Sequence, residues 1–128
     1  MKPTTREWVL KAENDFKAAS QLLRNRKALV PDAVCFLCQQ CVEKYLKARL
    51  TEAGLSFSRT HDLLQLLNLC LPIEPLWAAY SKPLDAMSDY AVDFRYPGHC
   101  ANSKEAKLAH KHAGSFRTEA RRNLGLKV

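Results

Sequence analysis

The segment 88–100, which reads SDYAVDFRYPGHC, carries the residue types most able to do chemistry. Arg95 supplies a permanent, fork-shaped cation that suits a phosphate group, and the imidazole of His99 is a side chain able to accept or donate a proton. Pro97-Gly98 cannot continue a helix, so a turn would present these side chains to a ligand. The residue types therefore indicate a phosphate site or a nuclease.

The same segment also fits a purely structural role. Asp93 and Arg95 would then form a surface ion pair, while Phe94 and Tyr96 fill the core. Short motifs often occur by chance. The spacing alone leaves both interpretations open.

The cysteines are odd in number, and the chain shows no secretory signal, so free buried thiols are favoured over a disulfide framework. Three of them form the run CFLCQQC, whose spacing resembles that of metal sites. This run falls inside a sustained helical pattern, where successive cysteines rotate around the helix and cannot all converge on one ion. We expect small core residues, with no metal and no cofactor, at Cys35, Cys38, Cys41, Cys70 and Cys100.

The composition favours one domain over residues 1–128, because 47% hydrophobic content is enough for a single core. Twenty Lys and Arg against 13 Asp and Glu leave a net charge of +7, which favours anionic partners such as RNA, nucleotides or an acidic protein. No apolar run approaches the roughly 20 residues of a membrane-spanning helix, and the N-terminus lacks the apolar core of a signal peptide. We expect a cytoplasmic protein with no membrane partner.

Helical periodicity runs through most of the chain. The first helix should begin at Thr4 or Thr5, since Thr4 and Glu7 have the spacing of a capping box. A third, shorter helix should cover 61–71, with Thr60 as its cap and His61 buried and held by a hydrogen bond. A fourth helical region follows in two pieces, 74–80 and 82 to about 92, broken by Ser81-Lys82-Pro83.

The second helix should open at Pro31-Asp32, last to about Ala53 and end at Gly54. Its apolar arc is unusually broad, so it must be nearly enclosed by neighbours or by a partner subunit. Because the short helices look too small to cover it, we predict a homodimer. The arc consists of Val34, Leu37, Cys38, Cys41, Val42, Tyr45 and Leu46.

The last helix should begin at Ser103, with Glu105 in its first turn and Gly125 near its end. Its outer side carries a basic ridge, which is either a solvated face or a source of non-specific affinity for RNA. The chain as a whole is typical of an all-α protein, a bundle of four or five helices. The basic ridge consists of Lys104, Lys107, Lys111, Arg121 and Arg122.

The order of four blocks resembles a known family. WVLKAENDFKAA, PDAVCFLCQQCVEKYLKARL, THDLLQLL and YAVDFRYP, followed by an alanine-rich last helix, together resemble the HEPN domain family of small prokaryotic helical proteins. The resemblance covers nearly the whole chain. It implies an up-and-down helical bundle that dimerises through its long helices and is often encoded beside a minimal nucleotidyltransferase, with which it acts as a toxin and antitoxin pair.

In catalytically active branches of that family, an arginine and a histidine a few residues later form a metal-independent ribonuclease site across the dimer interface. Arg95 and His99 match these positions, although only three residues intervene and Tyr96 stands where a polar residue usually follows. Some active members also carry a tyrosine two positions after the histidine, which the partner enzyme modifies; that position is Ala101 here. The RYP turn resembles the nucleotide-binding or accessory branch, in which Asp93, Arg95 and Tyr96 would shape a site for phosphate and base.

Three hypotheses follow, in order of preference. The first is a nucleotide- or RNA-binding accessory subunit that acts with a minimal nucleotidyltransferase in a toxin and antitoxin pair. The second is a metal-independent ribonuclease toxin that uses Arg95 and His99. The third is a purely structural helical dimerisation module.

Overall fold

Five α-helices, joined by loops and short 3-10 turns, make up the fold. The structure is a computed structural model that describes residues 1–128 apart from the side chain of Ala28. No strand occurs in this described part, so the predicted all-α bundle is confirmed. The helices are α1 Pro3–Arg24, α2 Pro31–Glu52, α3 Leu63–Cys70, α4 Ser81–Ser88 and α5 Ser103–Asn123, with 3-10 turns at Arg26–Ala28, Pro75–Tyr80, Asp89–Ala91 and Asp93–Arg95.

Helix α2 lies at the centre of the bundle and is packed by α1, α3 and α5 of the same chain. All of its predicted apolar arc is buried except Leu37, which is half-buried, and even the polar Gln39, Glu43 and Lys47 are buried. The sequence argument that α2 needs a partner subunit to cover it is therefore wrong. The burial of α2 therefore no longer supports a homodimer, which stays a prediction.

The two long partners of α2 run in opposite directions. Thr5 in the first turn of α1 donates to Glu52 at the end of α2 over 3.0 Å, so α1 and α2 are antiparallel. Ser20 near the end of α1 lies 2.8 Å from His110 in the first half of α5, so α1 and α5 are antiparallel as well. It follows that α2 and α5 run in the same direction.

One end of the bundle gathers the end of α1 and the beginnings of α2 and α5. The Ala101 backbone N–H donates to the Asp32 carboxylate over 2.6 Å, which ties the residue before α5 to the first turn of α2. Because the chain reaches Ala101 directly from residues 93–99, that segment lies at the same end. No helix of the described residues is long and apolar enough to cross a membrane.

The structure corrects the predicted beginning of α1. The helix begins at Pro3, and no side chain caps it, so the Thr4–Glu7 capping box does not form. The Thr5 hydroxyl and the backbone N–H of Lys2 instead donate to Glu52. A carboxylate of α2 therefore takes the place of the predicted cap. The spacing of residues near the start of α1 could not predict this partner, because it is distant in the sequence.

The beginning of α3 also differs from the prediction. Asp62 caps the helix by accepting from the backbone N–H groups of Leu64 and Gln65, while the Thr60 hydroxyl accepts from the N–H of Asp62. His61 is held by a hydrogen bond, as predicted, but its side chain is 60% exposed and not buried. Its Nδ1 lies 2.8 Å from Glu43 of α2, so the ring covers a buried carboxylate from outside.

The remaining helix ends follow the sequence more closely. Gly54 stands just beyond α2 with φ +72°, and α5 begins at Ser103 with a capping box between Asn102 and Glu105. The predicted division into two pieces is confirmed, because a 3-10 helix covers Pro75–Tyr80 and α4 begins at Ser81. Pro83 falls in the first turn of α4, where its missing N–H costs nothing. The regular helix there ends at Ser88 and continues as 3-10 turns.

A carboxylate of α1 joins the three long helices. Glu13 accepts hydrogen bonds from the Tyr45 hydroxyl at 2.5 Å and from two nitrogens of Arg117 at 2.6 Å, and Arg121 lies 3.4 Å away. Burial alone would raise the pKa of Glu13, but the hydrogen bonds from Arg117 and Tyr45 and the two arginine charges outweigh it and lower the pKa below its ordinary 4.5. The charged form of Glu13 therefore stabilises the fold.

We expect Glu13→Gln to lower the free energy of unfolding at neutral pH by about 1–3 kcal/mol, since the buried Tyr45 hydroxyl and the half-buried Arg117 guanidinium lose a charged acceptor. A lowered pKa in the folded state means that this contribution is complete above the unfolded-state value near 4.5 and is lost as the pH falls through the folded-state value. Urea unfolding should therefore show the difference from wild type shrinking in acid. Glu7→Gln, at an exposed position of the same helix, is the control. A difference that did not change with pH would contradict this account.

Candidate functional site

The Arg95 turn, residues 93–99, interrupts the helical path in the way the sequence predicts. Asp93–Arg95 forms a 3-10 turn, Tyr96 is extended with φ −126° and ψ 155°, and Gly98 has φ +93°. This last conformation is one that side chains with a Cβ rarely adopt, so glycine is required there. Arg95, Tyr96 and His99 are all exposed as a result, Tyr96 to 57%.

Arg95 is held by an aromatic ring. Its guanidinium carbon lies 5.1 Å from the centroid of Phe36 in α2. Among the described residues no carboxylate lies within 4 Å of the guanidinium, so the alternative of a surface ion pair with Asp93 is not formed. The ring face orients Arg95 while its N–H donors stay available to an anion.

The two aromatic residues beside Arg95 have different roles. Phe94 packs against the core and lies 4.9 Å from the ring of Tyr90, tilted by 33°. Tyr96 does not fill the core, contrary to the structural alternative, and presents its ring to solvent. Asp93 is half-buried beside them. The turn thus combines one anchoring ring with one free ring.

His99 lies beyond the turn, on exposed backbone. No hydrogen bond or ion pair joins it to Arg95 or to any other described residue. Two residues later the Ala101 N–H is tied to Asp32, which anchors the chain just before α5. The histidine is therefore free to meet a ligand, and nothing within this chain orients its ring.

The predicted basic ridge divides into two parts. Lys104, Lys107 and Lys111 are exposed along the first half of α5, and Arg122 is exposed and pairs with Glu119 at 2.9 Å. Arg121 turns inward and is only 16% exposed, in contact with Glu13 and with Tyr45 at 3.1 Å. Successive residues of a helix differ in direction by about 100°, which separates Arg121 from Arg122.

Four of the five cysteines are buried, as predicted, but the prediction is wrong for Cys100, which lies on the exposed chain between the Arg95 turn and α5. Desolvation raises the pKa of Cys35 and Cys38 to about 12, so these thiols stay protonated and unreactive at neutral pH. Among the described residues no three His, Cys, Asp or Glu side chains are grouped to hold a metal ion. The CFLCQQC run serves the packing of α2.

Sequence reasoning missed a buried polar cluster on α2. The Glu43 carboxylate accepts from Lys47 at 3.0 Å, from Gln39 at 3.3 Å and from His61 at 2.8 Å, when that ring nitrogen carries its proton. The Lys47 ammonium also lies 5.5 Å from the centroid of Trp8 in α1. The spacing of Gln39, Glu43 and Lys47, four residues apart on one side of α2, was the available signal. The cluster is internally satisfied and fastens the loop before α3 onto α2.

The family is decided by one comparison. A model of the HEPN domain matches residues 5–123, which include all five helices except the first two residues of α1, and the whole Arg95 turn. The protein belongs to the HEPN domain family. The resemblance found in the sequence is thereby confirmed, and membership suggests an RNA- or nucleotide-related function. Comparison with curated proteins and with solved structures gave no match.

The geometry of the turn predicts a small effect of Arg95 on stability. We expect Arg95→Ala to change the free energy of unfolding by at most about 1 kcal/mol, because an exposed cation–π contact contributes no more than that. Phe94→Ala, one residue away, should cost about 2 kcal/mol or more, since it removes a ring packed on the core. Urea unfolding of both variants tests this. Equal losses would show that the turn depends on Arg95 for its fold.

Proposed function

We propose that this HEPN domain, as one unit over residues 1–128, binds a nucleotide or RNA through the Arg95 turn as an accessory subunit. Its proposed partner is a minimal nucleotidyltransferase, with which it would form a toxin and antitoxin pair. The observation that carries the binding function is the state of Arg95: exposed, oriented by Phe36 and without a carboxylate partner among the described residues. The partner is proposed from family membership.

The turn offers the groups that a nucleotide requires. Arg95 would bind a phosphate through two parallel N–H donors, and the exposed ring of Tyr96 would stack on a base. Asp93 would accept a hydrogen bond from a ribose hydroxyl or from an amino group of the base. Only Phe94 separates Asp93 from Arg95 and Tyr96, and its ring anchors the turn to the core.

The exposed part of the basic ridge supports an RNA ligand. Lys104, Lys107 and Lys111 follow the turn within the first two to three turns of α5, at the same end of the bundle. A row of exposed lysines attracts a phosphate backbone without regard to sequence. Arg121 is assigned to the Glu13 cluster and is left out of the proposed interface.

A ribonuclease is the second candidate, because Arg95 and His99 are both exposed and neither forms a hydrogen bond or an ion pair within the described chain. His99 would take the proton from a ribose 2′-hydroxyl, and Arg95 would stabilise the charge that builds on the phosphorus centre. Nothing within one chain orients His99, so this reaction requires a homodimer that completes the site. Sedimentation that gave a monomer at micromolar concentration would remove the ribonuclease candidate.

Two substitutions discriminate between these functions. If the turn binds phosphate without cleavage, Arg95→Ala should abolish binding of a nucleoside monophosphate and weaken binding of RNA, while His99→Ala changes little, because a neutral imidazole adds one ordinary hydrogen bond. If the protein is a ribonuclease, His99→Ala should lower metal-free RNA cleavage about a hundredfold or more. We expect the first pattern in titrations and cleavage assays. Full binding by a well-folded Arg95→Ala protein would contradict it and favour a purely structural dimerisation module.

The ridge predicts a dependence on salt. Binding of a single-stranded oligonucleotide should weaken steeply as salt rises, because contacts to phosphates release counterions. Replacing Lys104 and Lys111 by Gln should reduce the slope of log affinity against log salt by about 1.4. Arg122→Gln, an exposed cation already paired with Glu119, is the matched control. Affinity that ignored salt would remove the ridge from the interface.

A further inference from the structure

A cleft of about 950 Å³ opens between the end of α1 and the beginning of α5. Its walls come from the last turn of α1, from the segment that joins α1 to α2, and from the first two turns of α5. Sites for small ligands commonly span about 300–1,000 Å³. The cleft is therefore large enough to enclose a ligand of nucleotide size.

Three positive charges line this cleft. Arg24 comes from the end of α1, Arg26 from the segment after it and Lys107 from α5. In the described part of the chain none of the three forms an ion pair, and all are exposed. No Asp or Glu is among the lining residues. Like charges gathered around one concavity repel one another. An anion placed between them would make the electrostatic energy of the group favourable.

One wall of the cleft is held rigidly. The Nε2 of His110 lies 2.8 Å from the Ser20 hydroxyl, and its ring stacks on Phe16 with centroids 4.9 Å apart. Burial, followed by the positive charge of Arg24, lowers the pKa of His110 below its ordinary value. The imidazole is therefore neutral at neutral pH and provides a flat polar wall without adding a fourth charge.

The rest of the lining suits both halves of a phosphorylated ligand. Ser103 is the first residue of α5, so its hydroxyl stands at the positive end of that helix dipole. Leu23 and Leu29 contribute apolar surface on the side of α1 and the following segment. The charged groups would meet phosphates while the leucines meet the uncharged part of the ligand.

We propose that this cleft binds a polyphosphate chain through Arg24, Arg26 and Lys107. A triphosphate concentrates about three to four negative charges in a short length. This charge matches three unpaired cations from three segments better than the singly charged, separated phosphates of a nucleic-acid backbone do. The chain would belong to a free nucleoside triphosphate or to the triphosphorylated 5′ end of an RNA. The cleft shares Lys107 with the basic ridge and no residue with the Arg95 turn, so it is a second site beyond the proposed function.

The test titrates the full-length protein with inorganic tripolyphosphate in a calorimeter. The variant Arg24→Gln/Arg26→Gln removes two cleft cations, and the control Arg59→Gln/Lys82→Gln removes two exposed cations that do not line the cleft. We expect saturable binding by the wild type and by the control, with affinity about tenfold or more weaker in the cleft variant. Arg95→Ala, which removes only the phosphate site proposed at the turn, should keep tripolyphosphate binding in the cleft.

A second arm compares ATP with a short RNA that carries a 5′-triphosphate or a 5′-hydroxyl. ATP that binds as tightly as the triphosphorylated RNA assigns the cleft to free nucleotides, and much tighter binding of the triphosphorylated RNA assigns it to RNA ends. Wild-type affinity in the cleft variant, an equal loss in the control, or the absence of saturable binding would overturn the polyphosphate site. Loss of tripolyphosphate binding in Arg95→Ala alone would overturn it too, while leaving the proposed function of the Arg95 turn intact.

Discussion

The burial of the apolar arc of α2 by its own chain is the constraint on which the rest of the structure depends. A helix with so broad an apolar arc must be covered, and α1 and α5 cover it along its length while α3 packs on a remaining side. The same packing also buries polar residues, which must then be satisfied. Glu43 is satisfied within its cluster on α2, and Glu13 serves the same purpose between α1, α2 and α5.

The enclosure also decides where the residues of the candidate site lie. Because α1 is antiparallel to both α2 and α5, the end of α1 meets the beginnings of the other two, and the chain before α5 is tied to α2 by Asp32. Both the Arg95 turn and the cleft beside Arg24 occur at this end. A helix packed against the Arg95 turn, α2, also supplies the ring that orients Arg95. Core packing and the presentation of cations are thus consequences of one arrangement.

Some arginines of this bundle are paired with carboxylates, and others are not. Arg117 and Arg121 meet Glu13, and Arg49 meets Glu74, so their charges are neutralised inside the fold. Arg95 and Arg24 have no such partner among the described residues and stand exposed. Unneutralised charge on a folded surface is available to a ligand, whereas a paired charge mainly stabilises the fold.

The periodicity of apolar residues was enough to predict the all-α bundle, the bounds of α2 and α5 to within a residue or two, and the burial of four cysteines. These features depend on local patterns, which a helix repeats every few residues. The exposed turn at Arg95 was predictable for the same reason, since Pro97-Gly98 acts locally.

Only the tertiary structure decided which partner each polar group finds. Thr5 bonds to Glu52 where a Thr4–Glu7 capping box was predicted, Arg121 leaves the basic ridge for Glu13, and Arg95 packs on Phe36 instead of pairing with Asp93. Each of these choices joins residues more than 40 positions apart in the chain. The helical repeat fixes the direction in which a side chain leaves its helix. Whether a polar side chain then meets a distant carboxylate, an aromatic ring or water is decided only when the helices have packed.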